Sequence, residues 1–184
     1  MVPRLGAEEG DFMASKIAIN GLGRIGRAAL KLALEQPQLE LVAVNEIGSL
    51  DNMVYLLKYD TVYGRYDRQV DAVDGKLVID GKPVAYLSER DPEQLPWADL
   101  EVDLVLECTG LFTEREDAEK HVRAGASWVV LSGPTKSPDV PTIIHGVNRP
   151  TVRPRSSRAR AAPPTTSPCW CRSSTGTSAS PRPC

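Results

Sequence analysis

Lys16-Ile17-Ala18-Ile19-Asn20-Gly21-Leu22-Gly23-Arg24-Ile25-Gly26-Arg27 is a short apolar run that feeds a Gly-x-Gly-x-x-Gly turn and then a helical pattern. The three glycines of such a turn have separate tasks. Gly21 permits the tight bend, Gly23 lets the backbone approach a pyrophosphate, and Gly26 allows the helix to pack closely on the strand. The helix opening behind them offers unpaired N–H groups to phosphate oxygens, and Asn20, Arg24 and Ile25 stand at the same turn. A glycine turn that only packs a helix on a sheet is the plain alternative, but the setting favours a dinucleotide site. A second apolar run, Leu39-Glu-Leu-Val-Ala-Val-Asn45, ends at Glu46, twenty residues after Gly26, where a carboxylate can accept hydrogen bonds from a ribose diol.

The rest of the chain alternates in the same way. Residues 50–59 form a helical pattern with Met53, Leu56 and Leu57 on one face. Lys76-Leu-Val-Ile79 and Lys82-Pro-Val-Ala-Tyr86 flank Asp80-Gly81 and predict a hairpin, an excursion between parallel strands. Asp103-Leu-Val-Leu-Glu107 reads as a buried strand running into Cys108-Thr109-Gly110. Thr113 and Glu116 have the spacing of a capping box for a helix that stops at Gly125. Ser127-Trp-Val-Val-Leu131 is the next strand and leads into Ser132-Gly133-Pro134. Glu46, Thr109 and Ser132 thus all fall at carboxyl ends of strands, where ligands of such sheets lie.

Composition limits the remaining choices. The chain has 184 residues, enough for one good core, and a formal charge of −2 that conceals two unlike parts. Residues 153–184 carry six arginines and no acid; removing these from the 22 basic groups leaves 16 against 24 acids, a net of −8 for residues 1–152. That acidic part does not favour nucleic acid or an anionic membrane. No apolar run approaches the roughly 20 residues of a bilayer span, residues 1–12 lack a signal-like apolar core, and a cytoplasmic location is the expectation. The four cysteines, Cys108, Cys169, Cys171 and Cys184, have no spacing that forms a metal site with histidines, so no metal is expected. Cys108 reads as a small buried residue at a strand end. Neither His121 nor His145 has a sequence neighbour that would make it catalytic.

Six segments together carry a resemblance. They are Ile-Asn-Gly-Leu-Gly-Arg-Ile-Gly-Arg (19–27), Val-Ala-Val-Asn-Glu (42–46), Leu-Leu-Lys-Tyr-Asp (56–60), Glu-Arg-Asp-Pro (89–92), Glu-Cys-Thr-Gly (107–110) and Gly-Val-Asn (146–148). In order and spacing they resemble the amino-terminal domain of phosphorylating glyceraldehyde-3-phosphate dehydrogenases, from about Lys16 to Pro150. The resemblance implies an α/β fold of Rossmann type, with a doubly wound, mostly parallel sheet and the small hairpin excursion. It further implies Arg24 and Ile25 against the pyrophosphate, Glu46 on the adenosine ribose, Arg90 near the adenine, and Thr109 and Ser132 towards the nicotinamide. Asn20, Gly21, Gly23 and Gly26 complete the implied cofactor set. Ordinary surface arginines and strand-end hydrogen bonders are the plain alternatives for Arg24, Arg90, Thr109 and Ser132.

Three departures from the family stand out. Glu46 takes the place of a frequent Asp, keeping the charge that disfavours a 2′-phosphate, so NAD is expected rather than NADP. Leu22 replaces a common Phe, and Ser132-Gly133-Pro134 a common Ser-Ala-Pro. The third departure is the larger one: the Ser-Cys-Thr-Thr-Asn nucleophile segment, the histidine base and the catalytic domain that the family requires are missing. No catalytic residue is therefore assigned, and the chain is expected to bind NAD without turnover. The phosphorylated aldehyde substrate and the homotetramer belong to the intact family enzyme.

The expected organisation is a leader at 1–12, an NAD-binding domain at 13–151, and a disordered Arg, Pro, Ser and Thr-rich tail at 152–184. Codons compatible with Ala161–Thr165 also read, from the third base, as Cys-Thr-Thr-Asn. Those of Thr175–Cys184 likewise read as Arg-His-Phe-Gly-Ile-Ala-Lys-Ala-Leu, so a frameshift near residues 150–158 is one origin for the tail. A silent nucleotide-binding module with a partner-binding basic tail is a second reading. A fragment of an erythrose-4-phosphate dehydrogenase is a third.

Overall fold

A computed structural model describes residues 14–144, 147–148 and 170–171. The expected leader, His145 and Gly146, and the tail apart from residues 170–171 lie outside the described residues.

The opening unit forms where its periodicity places it. Strand β1, Ser15–Asn20, leads to helix α1, Arg24–Ala33, and to strand β2, Leu39–Asn45. The helix is built of Ala, Leu, Ile, Lys and Arg around one glycine, and it buries Gly26, Leu30 and Ala33, spaced four and three apart. It ends three residues before the expected Gln36. Pro37 disfavours helical geometry at the residue before it, and Glu35 and Gln36 instead donate to Leu32 and Ala33 in a closing turn.

Helix α2, Leu50–Lys58, follows and buries Met53 and Leu57. A two-rung hairpin, β3 Tyr59–Asp60 with β4 Gly64–Arg65, stands apart from the main sheet. Three strands follow: β5 Val70–Val73, β6 Lys76–Ile79 and β7 Lys82–Leu87. Beyond a 3-10 turn at Pro92–Gln94 lie β8 Leu104–Glu107, α3 Arg115–Arg123 and β9 Trp128–Leu131. A short strand β10, Trp170–Cys171, pairs antiparallel with β9.

The main sheet runs β10-β9-β8-β1-β2-β7-β6-β5. Its middle five strands, from β9 to β7, are parallel. The hairpin is therefore more than an excursion, because β7 pairs parallel to β2 and carries β6 and β5 with it as an antiparallel edge. From β1 the chain winds outward through β2 to β7, then returns to the other side of β1 for β8 and β9. The order reverses between β1 and β8, and the crevice at their carboxyl ends is the place where such sheets bind ligands.

Two cores cover the two faces. Ile17, Ile19, Leu41 and Val44 join Leu30, Ala33, Met53 and Leu57 of the first two helices on one side. Ala18, Ala43, Val105, Val129 and Leu131 join Ala118 of α3 and Trp97 on the other. A fully buried Ile or Leu contributes about 1.5–3 kcal/mol. An exposed ion pair such as Arg68–Asp80 contributes no more than about 1 kcal/mol. Apolar packing, not surface charge pairing, therefore holds the sheet.

Candidate functional site

The glycine turn is shaped by contacts that distinguish its three glycines. Gly21 has φ +90°, and a Cβ there would lie 2.8 Å from both the backbone nitrogen and Cγ2 of Thr109. A Cβ on Gly26 would fall 1.9 Å from the Gly21 carbonyl oxygen and 3.4 Å from the Cys108 Cβ. Gly23 is different: nothing stands within 4 Å of where its Cβ would be. It is the N-cap of α1 in extended geometry and supplies no side-chain cap, and no acid occupies the first turn of the helix. The first N–H groups of α1 thus have no intrahelical partner, and they face a negative ligand with a favourable dipole. Arg24 and Ile25, both exposed, begin that helix.

Glu46 sits at the end of β2 with its carboxylate directed to the turn. Oε2 accepts from the Leu22 N–H at 2.7 Å, and Oε1 accepts from the N–H groups of Ile47 and Gly48 at 2.9 and 3.2 Å. One acidic side chain therefore ties the glycine turn to the β2–α2 loop, and Oε2 keeps a lone pair for a further donor.

Beneath the crevice runs a chain of buried polar side chains across neighbouring strand ends. Asn20, Asn45, Glu107 and His121 are the buried polar or charged residues among those described. Asn45 Nδ2 donates to Asn20 Oδ1 at 2.7 Å and to the Glu89 carbonyl at 2.8 Å, while Asn45 Oδ1 accepts from the Glu89 N–H at 2.8 Å. Asn20 Nδ2 donates to Glu107 Oε2 at 2.5 Å. Glu107 Oε1 accepts from the Thr109 N–H at 2.8 Å and from the Thr109 hydroxyl. His121 Nε2 lies 3.0 Å from Glu107 Oε2, and Trp97 Nε1 donates to His121 Nδ1 at 3.0 Å. A carboxylate buried at this depth is stable only with such donors, and this one has four.

The sequence-derived residues fall into two groups. Asn20, Gly21, Gly26, Glu46, Thr109 and Ser132 are linked by contact, directly or through Leu22 and Glu107, and Gly23, Arg24 and Ile25 complete the turn, while Arg90 stands apart. Thr109 gives both its N–H and its hydroxyl hydrogen to Glu107, so the hydroxyl's remaining lone pair and the carbonyl are what it can offer a ligand. Ser132 stands at the end of β9, where its N–H donates to the Glu107 carbonyl and its side chain lies beside Cys108. Arg90 is exposed after β7 and enters this arrangement only through its N–H, which donates to Glu89 Oε1. Burial pushes the Cys108 thiol up to about 11, with the neighbouring Ser132 opposing and the Glu107 charge adding, so this cysteine is a poor nucleophile near neutrality.

Trp97 and the bonding of Asn45 have no counterpart in the sequence signals above, and His121 entered there only as a residue without a catalytic neighbour. The signal was faint but present: His121 follows Ala118 by one helical turn on the buried face of α3, and Glu107 ends an apolar strand. An acid and an imidazole in apolar surroundings each require a partner. Among the described residues there is no group of three or more His, Cys, Asp or Glu that could hold a metal. No helix of the described residues is long and apolar enough to cross a membrane.

A parallel sheet reversing beside β1, a glycine turn onto an uncapped helix and an acid at the end of β2 define a dinucleotide-binding domain of Rossmann type. Residues 15–115 match the family described as "Glyceraldehyde 3-phosphate dehydrogenase, NAD binding domain". The chain belongs to that family, and its cofactor is accordingly NAD. A glyceraldehyde-3-phosphate dehydrogenase of Geobacillus stearothermophilus is 47% identical over 144 residues, 78% of this chain and 43% of that protein. The Clostridium acetobutylicum enzyme of that name is 51% identical over 134 residues, 73% and 40% of the two chains. That of Chlamydia pneumoniae is 46% identical over 140 residues, 76% and 42%. The chain thus spans about two fifths of the length of these curated relatives.

Proposed function

We propose that this chain holds NAD across the carboxyl ends of β2, β1, β8 and β9. The N–H groups at the start of α1, with Arg24 and Ile25, take the pyrophosphate above Gly23, and Glu46 takes the adenosine ribose. Arg90 lies on the adenine side, and Thr109 and Ser132 lie towards the nicotinamide. The observation that carries this reading is the open space over Gly23 at an uncapped helix start, with the Glu46 carboxylate fixed beside it. That carboxylate would meet a 2′-phosphate charge to charge, which favours NAD over NADP.

NAD supplies a hydride acceptor when bound. In the intact family enzyme the donor is glyceraldehyde 3-phosphate, oxidised and phosphorylated to 1,3-bisphosphoglycerate. This chain's own residues bind and orient the cofactor. Cys108, held as a thiol, and His121, fully committed inside the domain, do not supply a nucleophile and base. The 184-residue polypeptide is therefore proposed to bind NAD without turning over an aldehyde. Calorimetric titration with NAD and NADP tests the first part, with tighter binding of NAD expected. NADH absorbance with glyceraldehyde 3-phosphate and inorganic phosphate tests the second, with none expected. Equal affinity for NADP would overturn the role of Glu46, and aldehyde-dependent NADH would overturn the proposed inactivity.

A further inference from the structure

His121 has no exposed surface, and both of its ring nitrogens are engaged. The indole N–H of Trp97 can only donate, so Nδ1 of His121 must accept and its proton must sit on Nε2. Trp97 thereby fixes the tautomer, and its ring stacks on the imidazole with centroids 6.2 Å apart. The Nε2–H is then aimed at Glu107 Oε2, the oxygen that also receives Asn20 Nδ2.

Both elements that hold this pair are anchored independently of the crevice. The segment around Trp97 is tied to the end of α3 by a bond from the Ala98 N–H to the Ala124 carbonyl at 3.0 Å. Gly125, with φ +113°, lets the two backbones approach, because a Cβ there would lie 2.6 Å from Ala98. With Oε2 held from behind, Oε1 of Glu107 is presented to Thr109, whose N–H and hydroxyl both point to it. The same hydroxyl accepts from the Leu111 N–H at 3.1 Å, so the turn 109–111 after β8 is folded around it.

We propose that Trp97 and His121 are positioning residues for the nicotinamide end of the cofactor, acting through Glu107 on the Thr109–Leu111 turn. They act from beneath the crevice, where His121 Nε2 lies 3.0 Å from Glu107 Oε2 and 3.4 Å from Asn20 Nδ2. Their effect is to set the direction of the Thr109 carbonyl and of the hydroxyl lone pair not used internally. The inference rests on the proposed placement of Thr109 towards the nicotinamide.

NAD and ADP-ribose separate positioning from mere support of the fold, because ADP-ribose retains the adenosine, pyrophosphate and second ribose but lacks the nicotinamide. Both ligands are titrated calorimetrically into the full chain and into His121→Leu, His121→Gln and Trp97→Phe. The wild type is expected to prefer NAD. His121→Leu removes the donor to Glu107 and is expected to lower the NAD to ADP-ribose affinity ratio roughly three- to tenfold, the worth of a misdirected hydrogen bond. Trp97→Phe leaves the histidine in place but releases its tautomer, and the ratio is expected to fall by a smaller factor. His121→Gln can accept from Trp97 and donate to Glu107, and the ratio is expected to return towards wild type. A loss of affinity for both ligands in equal proportion would overturn the inference and leave the pair a structural bond only. Equal wild-type affinities for the two ligands would overturn it as well. Absence of any NAD binding by the wild type would instead overturn the reading beneath it.

Discussion

At the scale of single residues the three glycines of the opening turn respond differently to the same methyl group. Gly23→Ala meets no atom within 4 Å and sits in extended backbone, so the fold should be unchanged while NAD affinity falls, because the methyl enters the space above the helix start. Gly26→Ala places a carbon 1.9 Å from the Gly21 oxygen, which forces α1 away from β1 and should cost several kcal/mol, on the order of an overpacked core. Urea melts and NAD titrations of the two variants check this directly: stability lost in one, affinity lost in the other. The steric parts of Gly21 and Gly26 were legible in the sequence because each follows from spacing within one turn. The role of Asn45 was not, since its partners Asn20 and Glu89 lie 25 and 44 residues away.

Among the elements, α3 shows most clearly where local reading stops. Thr113 and Glu116 have capping-box spacing, but the helix begins at Arg115 with Glu114 as its N-cap and no cap from that side chain. Ser137, from the segment after β9, takes over: its hydroxyl accepts from the Arg115 N–H at 3.1 Å and donates to Glu114 Oε2 at 2.7 Å. A cap delivered from 22 residues away cannot be read from a four-residue motif. Ser137→Ala should lower stability by about 1 kcal/mol, whereas Thr113→Ala should change it little; thermal melts of both variants distinguish the two caps. Strands β1, β2, β6, β7, β8 and β9 and helices α1 and α2 lie within three residues of their expected ends because their apolar periods are strong, whereas the two-residue strands β3, β4 and β10 are too short to show a period. β5 was missed, since Val70-Asp-Ala-Val73 buries only Val70 completely and owes its place to pairing with β6. The membership of β7 in the parallel sheet was equally hidden, for a hairpin signal says nothing of what its outer edge pairs with.

For the molecule as a whole, stability in alkali should report the packing beneath the site. The Cys108 thiol is raised from 9.0 to about 11 by burial. The folded chain therefore holds this proton more tightly than the unfolded chain. The associated stability is fully present below about pH 9 and is lost as the pH rises through about 11. Wild type should lose more stability than Cys108→Ala between these limits, measured by urea unfolding at a series of pH values. Parallel curves for the two proteins would show that the thiol is not burdened by its surroundings. The two-core architecture explains why the effect is global, since Cys108 packs against the first core at the strand end where the sheet reverses.

The side-chain amide of Asn45 imitates a peptide group, donating to and accepting from the backbone of Glu89 and so adding a rung beyond the last one between β2 and β7. With Asn20 and Glu107 it ties together the strand ends under the crevice. Strand ends bonded to one another in this way need no rearrangement before a cofactor is held. Stopped-flow mixing with NAD should accordingly give a single phase whose observed rate rises linearly with cofactor concentration. A rate that levels off at high concentration would mean that the strand ends must first rearrange.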